Sequence, residues 1–165
     1  MRRHLPALFL AAALACTGCG KSDAPASSGT AAPAASSSAG ADASGLSADE
    51  LENGIGPVKT LDIAASIDAA LATRGEEIFN QKCSACHKLD ERYVGPPLRD
   101  VSTRRTGRFI MNQLLNPAEM AQKHPEGKKL LAEYLTQMPD QQLTQEDARA
   151  ILEYLRQAAA QAPGA

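Results

Sequence analysis

Two thiols one helical turn apart, with an imidazole directly after the second, stand in Cys83-Ser84-Ala85-Cys86-His87. Two intervening residues put both sulfurs where they can add to the two vinyl groups of one porphyrin edge, and His87 then falls under the iron. The run is the attachment signature of a c-type haem. Three other chemistries use paired cysteines, and each needs something the sequence lacks. A zinc site wants a second ligand pair at comparable spacing, yet the histidines outside the run are His4 and His124. A thioredoxin-like redox pair wants a surrounding βαβ pattern, and none is visible. A disulfide leaves His87 unexplained.

Something must carry those thiols, and the residues before them read as a helix. Asp68 can cap it, and Leu71, Gly75, Ile78 and Phe79 recur at helical spacing up to Lys82. Gly75 inside a helix costs about 1 kcal/mol relative to alanine, which makes sense if another helix crosses there at close range. The last helix is the expected partner. Thr144 with Asp147 three residues later resembles a capping box, Ile151, Tyr154, Leu155 and Ala158 form one face, and Pro163-Gly164 lies beyond the end. Between these two, Phe109, Ile110, Met111, Leu114 and Leu115 mark a middle helix ended by Asn116-Pro117. Pro117 and Pro125 each open a further one.

The remainder of the chain reads differently. Met1-Arg2-Arg3 followed by an apolar stretch from Leu5 to Ala15 is an export signal, too short to span a bilayer as a mature helix. The stretch closes on Cys16 and Cys19 and resembles a bacterial lipoprotein signal. Either cysteine can be the acylated one: Ala13-Leu14-Ala15-Cys16 fits residue by residue, whereas cleavage there leaves Cys19 as a free thiol in an oxidising compartment. Ordinary cleavage without a lipid is the alternative. Residues 20–45 are almost wholly Ala, Ser, Gly and Pro, which cannot bury enough apolar surface to offset ordering entropy, and read as a disordered tether reaching on the order of 25–30 Å. Residues 46–67 are expected to form an extended arm on the domain, with Gly54-Ile55-Gly56-Pro57 as a turn and Val58–Ile63 alternating like a short strand.

Composition narrows the classes further. Of 165 residues 44% are hydrophobic, but much of that is alanine in the leader and tether; Phe and Tyr number three each and Trp is absent. A covalently held porphyrin supplies the apolar surface that such a core lacks. The formal charge of −2, more negative still without the leader's Arg2 and Arg3, excludes the concentrated basic surface that nucleic-acid binding needs.

With these residues placed, the chain from about Asp68 to Ala160 resembles a class I cytochrome c, a mono-haem electron carrier of the His/Met type. Gly75 through His87 matches that family's first helix and haem motif, Ile151 to Leu155 its last helix, and Gly95-Pro96-Pro97-Leu98 its Gly-Pro-x-Leu turn. The resemblance implies an all-α fold of three to five helices around one covalent haem, domain 68–160, with the Pro96 carbonyl accepting a hydrogen bond from His87 Nδ1. It also implies Met138 as the second axial ligand, because the family keeps that methionine on an extended segment before the final helix. Pro139 agrees, since it cannot sit in a helix interior. Met111 and Met120, within helical patterns, read as packing, and His124 in a charged stretch reads as solvated. Val94, Leu98, Ile110, Leu114, Leu131 and Leu135 are the expected pocket wall. Arg99, Arg104, Arg105 and Arg108 read as a solvated face, with pairing to haem propionates or steering of an acidic partner as alternatives. The chain departs from the family in having no tryptophan, and Phe109 is the aromatic residue available on the middle helix.

Ligated on both faces, iron is coordinatively saturated, which favours electron transfer over catalysis. The implied role is a non-enzymatic, periplasmic electron carrier, lipid-anchored through Cys16 or Cys19, with redox proteins as donor and acceptor, no small-molecule substrate and no nucleic acid. A permanent haem subunit of an oxidoreductase complex and, were the sixth position open, a haem sensor are the alternatives.

Overall fold

In the computed structural model, residues 44–162 are described. The export signal, its cysteines Cys16 and Cys19, nearly all of the tether and Pro163-Gly164 lie outside them. The described residues form seven helices and no strand: α1 (Ala48–Asn53), α2 (Ala69–Lys82), α3 (Val101–Arg104), α4 (Gly107–Leu115), α5 (Pro117–Lys123), α6 (Pro125–Tyr134) and α7 (Gln145–Ala160). The two beyond the expected three to five, α1 and α3, are short, six and four residues long, without a long apolar period.

The frame is the crossing of α2 with α7. Asp68 caps α2 by accepting from Ala70 N and Leu71 N, and Thr144 with Asp147 closes a reciprocal capping box on α7. A Cβ placed on Gly75 would lie 2.0 Å from the Ala150 carbonyl oxygen. Only glycine lets the helices approach this closely. One turn on, the Phe79 and Tyr154 rings pack with centroids 5.2 Å apart, and Ile151, Leu152 and Leu155 complete the buried face of α7. α7 also holds a fully buried carboxylate: Glu153 is 0% exposed and is bonded by both Arg149 and Arg156. Arg156 extends to the carbonyl oxygens of Ala64 and Ala65, tying the incoming chain to the last helix.

Residues 46–67 are not the wholly extended arm expected. Ser47 and Glu50 form a capping box that starts α1, a signal present in Ser47-Ala48-Asp49-Glu50 but hidden by the short apolar pattern behind it. Val58–Ile63 pairs with no strand. The arm is bonded by side chains at particular points instead: Asn112, 1% exposed on α4, donates to Val58 O and Asn53 O and accepts from Val58 N. Ile55 N donates to Met120 Sδ at 3.1 Å. His124, expected in solvent, is 3% exposed. Its Nδ1 accepts from Glu126 N, capping α6, so the proton sits on Nε2 and is donated to Leu51 O at 3.1 Å. The charged residues around it had suggested solvation, but the imidazole is needed to satisfy two backbone groups at once.

Candidate functional site

The end of α2 becomes a tight turn. Cys83 N and Ser84 N both donate to Phe79 O, while Cys86 N and His87 N return to Cys83 O. These bonds bring Cys83, Cys86 and His87 to one side of a single cavity. Both thiols are free, Cys83 buried and Cys86 half-buried. Burial pushes the Cys83 thiol up to about 11, the state of an apolar-surrounded thiol rather than a metal-binding thiolate. Among the described residues no three His, Cys, Asp or Glu side chains converge as a metal site.

Burial also lowers the His87 imidazole below its ordinary value, and the bond to Pro96 opposes this only in part. The ring is therefore neutral at pH 7. Its Nδ1–H donates to Pro96 O at 3.0 Å, which fixes tautomer and orientation and leaves the Nε2 lone pair for another partner. The turn that presents Pro96 lies directly against the ring. A Cβ on Gly95 would come 2.4 Å from His87 Cε1, and Gly95 N is held by Cys86 O at 2.8 Å.

Met138 lines the same cavity from the irregular segment between α6 and α7. Leu135 ends α6 with φ 53°, a left-handed residue that turns the chain toward Met138. That conformation also swings the Leu135 side chain outward, and at 85% exposed it is no part of the cavity wall, contrary to expectation. Val94, Leu98, Ile110, Leu114 and Leu131 do line it. Lys82 Nζ donates to Gln141 O at 3.0 Å, tying the Met138 segment to the end of α2. Met111 and Met120 are buried in the two apolar cores, away from the cavity lining.

The arginine cluster is internally neutralised. Arg99 pairs with Asp90, Arg104 with Asp100, Arg105 with Glu126 and Arg108 with Asp49. Of these, Arg104 and Arg105 reach the cavity rim. Phe109 sits in the second core, edge-on to His124 and beneath the Arg105 guanidinium. Sequence reasoning missed Gln113, which lines the cavity with Nε2 4.0 Å from Met138 Sδ. The signal was Asn112-Gln113, two amides inside an apolar helix.

The donor set fits a covalently held, doubly ligated haem: two thiols on one wall, a neutral imidazole with a free nitrogen beside them, a thioether contributed by a separate segment, and aliphatic walls between. Comparison with known proteins points the same way. The cytochrome c family model matches residues 72–159. A cytochrome c from Rhodothermus marinus superposes with TM-score 0.65 at 55% identity, covering 68% of this chain and 97% of that one. Cytochrome c-551 of Ectopseudomonas mendocina is 29% identical over 82 residues, 49% of this chain and 93% of the relative. Cytochrome c-551 of Stutzerimonas stutzeri is 40% identical over 52 residues, 31% of this chain, and the match spans only 50% of that relative's length.

Proposed function

This chain belongs to the cytochrome c family, proteins that carry covalent haem c and transfer electrons, and from that premise we propose that it is a mono-haem, His/Met-ligated carrier working on the periplasmic side of a membrane. Cys83 and Cys86 form the thioethers. His87 Nε2 and Met138 Sδ would hold its iron. The observation that carries this reading is that one cavity is lined by both thiols, by an imidazole whose Nδ1 is already committed to Pro96 O, and by the sulfur of Met138. When bound, the group supplies a one-electron Fe(II)/Fe(III) couple whose potential a soft, neutral sulfur ligand raises.

Each residue has a separable task. Pro96 O keeps the His87 ring turned and makes its free nitrogen more basic. The α2–α7 crossing fixes the position of the thiols, and the aliphatic walls exclude water. Donor and acceptor are redox proteins. No helix among the described residues is long and apolar enough to cross a membrane; anchoring through a lipid on Cys16 or Cys19, with residues 20–45 as the tether, rests on the sequence pattern and is tested by the acyl mass on the N-terminal peptide.

Spectroscopy of the haem-loaded protein tests the ligand set. The reduced protein takes up no carbon monoxide, and the oxidised protein shows a long-wavelength sulfur-to-iron band. Met138→Ala loses the band and gains carbon monoxide binding, whereas Met111→Ala and Met120→Ala keep the band. A band that survives Met138→Ala assigns the sixth ligand elsewhere, and carbon monoxide uptake by the unsubstituted protein supports the sensor alternative.

A further inference from the structure

Among the helices of the described residues, α6 packs closely against α5 alone. Beyond its last residue, Tyr134, the chain turns through Leu135 at φ 53° toward Met138. Glycine takes that left-handed turn freely; leucine does so at a cost, and with its side chain exposed to solvent burial does not offset it. The last turn of α6 also holds no basic residue of its own. A cation arrives from another segment. Arg92, between His87 and Pro96, donates from Nη1 to Glu133 Oε1 at 2.7 Å and from Nη2 to the Glu133 carbonyl oxygen at 3.0 Å. Its guanidinium carbon stands 4.1 Å from the centroid of the Tyr134 ring. One planar side chain thus pairs with a carboxylate, satisfies a carbonyl that the helix end leaves open and covers an aromatic face, a combination that a lysine ammonium does not reproduce.

Val94 and Pro96 on one side of this contact and Tyr134 and Met138 on the other line the same cavity, so Arg92 joins the segment of His87 to the segment of Met138. We infer that Arg92 is a positioning residue: by fastening the end of α6 it holds the Met138 segment against the cavity and sets how often the sixth position opens to an outside ligand. The inference rests on Met138 being the ligand there. The neighbouring ties hold other points. Arg105 pairs with Glu126 at the beginning of α6, and Lys82 Nζ donates to Gln141 O beyond Met138. Between those two anchors Arg92 is the brace, and with it released the last turn of α6, Leu135 and Met138 can swing as one piece.

The test uses the oxidised, haem-loaded full chain with imidazole as the probe. Imidazole enters once the Met138 sulfur has left, so at saturating concentration its binding rate is the opening rate. Arg92→Gln is expected to raise that rate about three- to tenfold, with faster amide exchange over residues 134–138 and unchanged exchange in α2 and α7. The ion pair is about half exposed on both sides and is screened by salt, so raising the ionic strength speeds opening in the unsubstituted protein and narrows the gap. Arg92→Lys keeps the charge without the planar fork and recovers part of the difference. Glu133→Gln gives a smaller increase than Arg92→Gln, because the Glu133 carbonyl and the Tyr134 ring remain; it carries the test should Arg92→Gln fail to mature. An unchanged opening rate in both variants, or faster exchange spread equally through α2 and α7, makes Arg92 a general surface contact and overturns the inference. Carbon monoxide separates the two claims. If the unsubstituted reduced protein binds it readily, the Met138 assignment falls and the inference with it; if that protein excludes it while the Arg92 and Glu133 variants are silent toward imidazole, only the inference falls.

Discussion

The two faces of α4 are held by different physics. One carries Ile110 and Leu114 into the cavity, where the walls are aliphatic and, apart from Gln113, α4 offers no polar group to its interior. The other, with the caps at its two ends, meets residues 46–67 through buried and half-buried polar bonds: Asn112 to Asn53 and Val58, the N-cap Thr106 Oγ1 to Asn53 Oδ1 at 2.9 Å, and the C-cap Asn116 Nδ2 to Ile55 O at 3.2 Å. The reason lies in what each face must satisfy. An irregular segment lacks a hydrogen-bond ladder of its own, so its buried N–H and C=O groups need side-chain partners. A cavity shaped for a flat apolar group faces no such backbone, and dispersion and burial suffice. Breaking the first face should release the arm and spare the site. Breaking the frame beneath both should destroy both.

The largest expected effect is on that frame. Gly75→Leu drives a side chain into the Ala150 carbonyl and should cost about 3 kcal/mol or more, read as a lowered thermal midpoint with loss of both haem incorporation and arm protection. Next is Glu153→Ala, which leaves Arg149 and Arg156 without their shared carboxylate. A loss of about 3 kcal/mol is expected, with faster amide exchange around residues 61–67 because Arg156 no longer holds the Ala64 and Ala65 carbonyls.

Asn112→Ala sharpens the contrast between the two faces. It strands the buried Val58 N and should cost about 2 kcal/mol, with residues 46–67 becoming sensitive to protease while the absorption spectrum of the haem-loaded protein stays unchanged. A changed spectrum with an intact arm would contradict the separation drawn here. The smallest effect is electrostatic. The hydrogen bond from Arg108 holds the exposed Asp49 carboxyl below its ordinary value, so the folded protein binds that proton less readily than the unfolded chain. The Asp49 contribution is therefore present above the ordinary carboxylate range and is lost as pH falls through the lowered value. Amide protection of α1 should weaken on acidification, and Asp49→Asn should remove that part of the pH dependence.

The two faces also differed in how far the sequence disclosed them. Around the cavity, residue type and spacing carried the information: Cys83, Cys86 and His87 are adjacent in the chain, Asp68 and Thr144 cap the helices where they stand, and Gly75 announces a close crossing. Leu135 escaped because its side-chain direction depends on one left-handed dihedral. On the arm face the determinants are pairs far apart in sequence. Asn112 and Asn53 meet across a separation of 59 residues and His124 and Leu51 across 73, and no local period encodes either. The charge around His124 suggested exposure, whereas its two ring nitrogens are used inside.

Peptide mapping of the exported, haem-loaded protein tests the central claim most directly. The account predicts one haem mass, carried by the peptide containing Cys83 and Cys86, and no adduct when both are replaced by serine. A polypeptide of unmodified mass, or a haem adduct on any other cysteine, would contradict it.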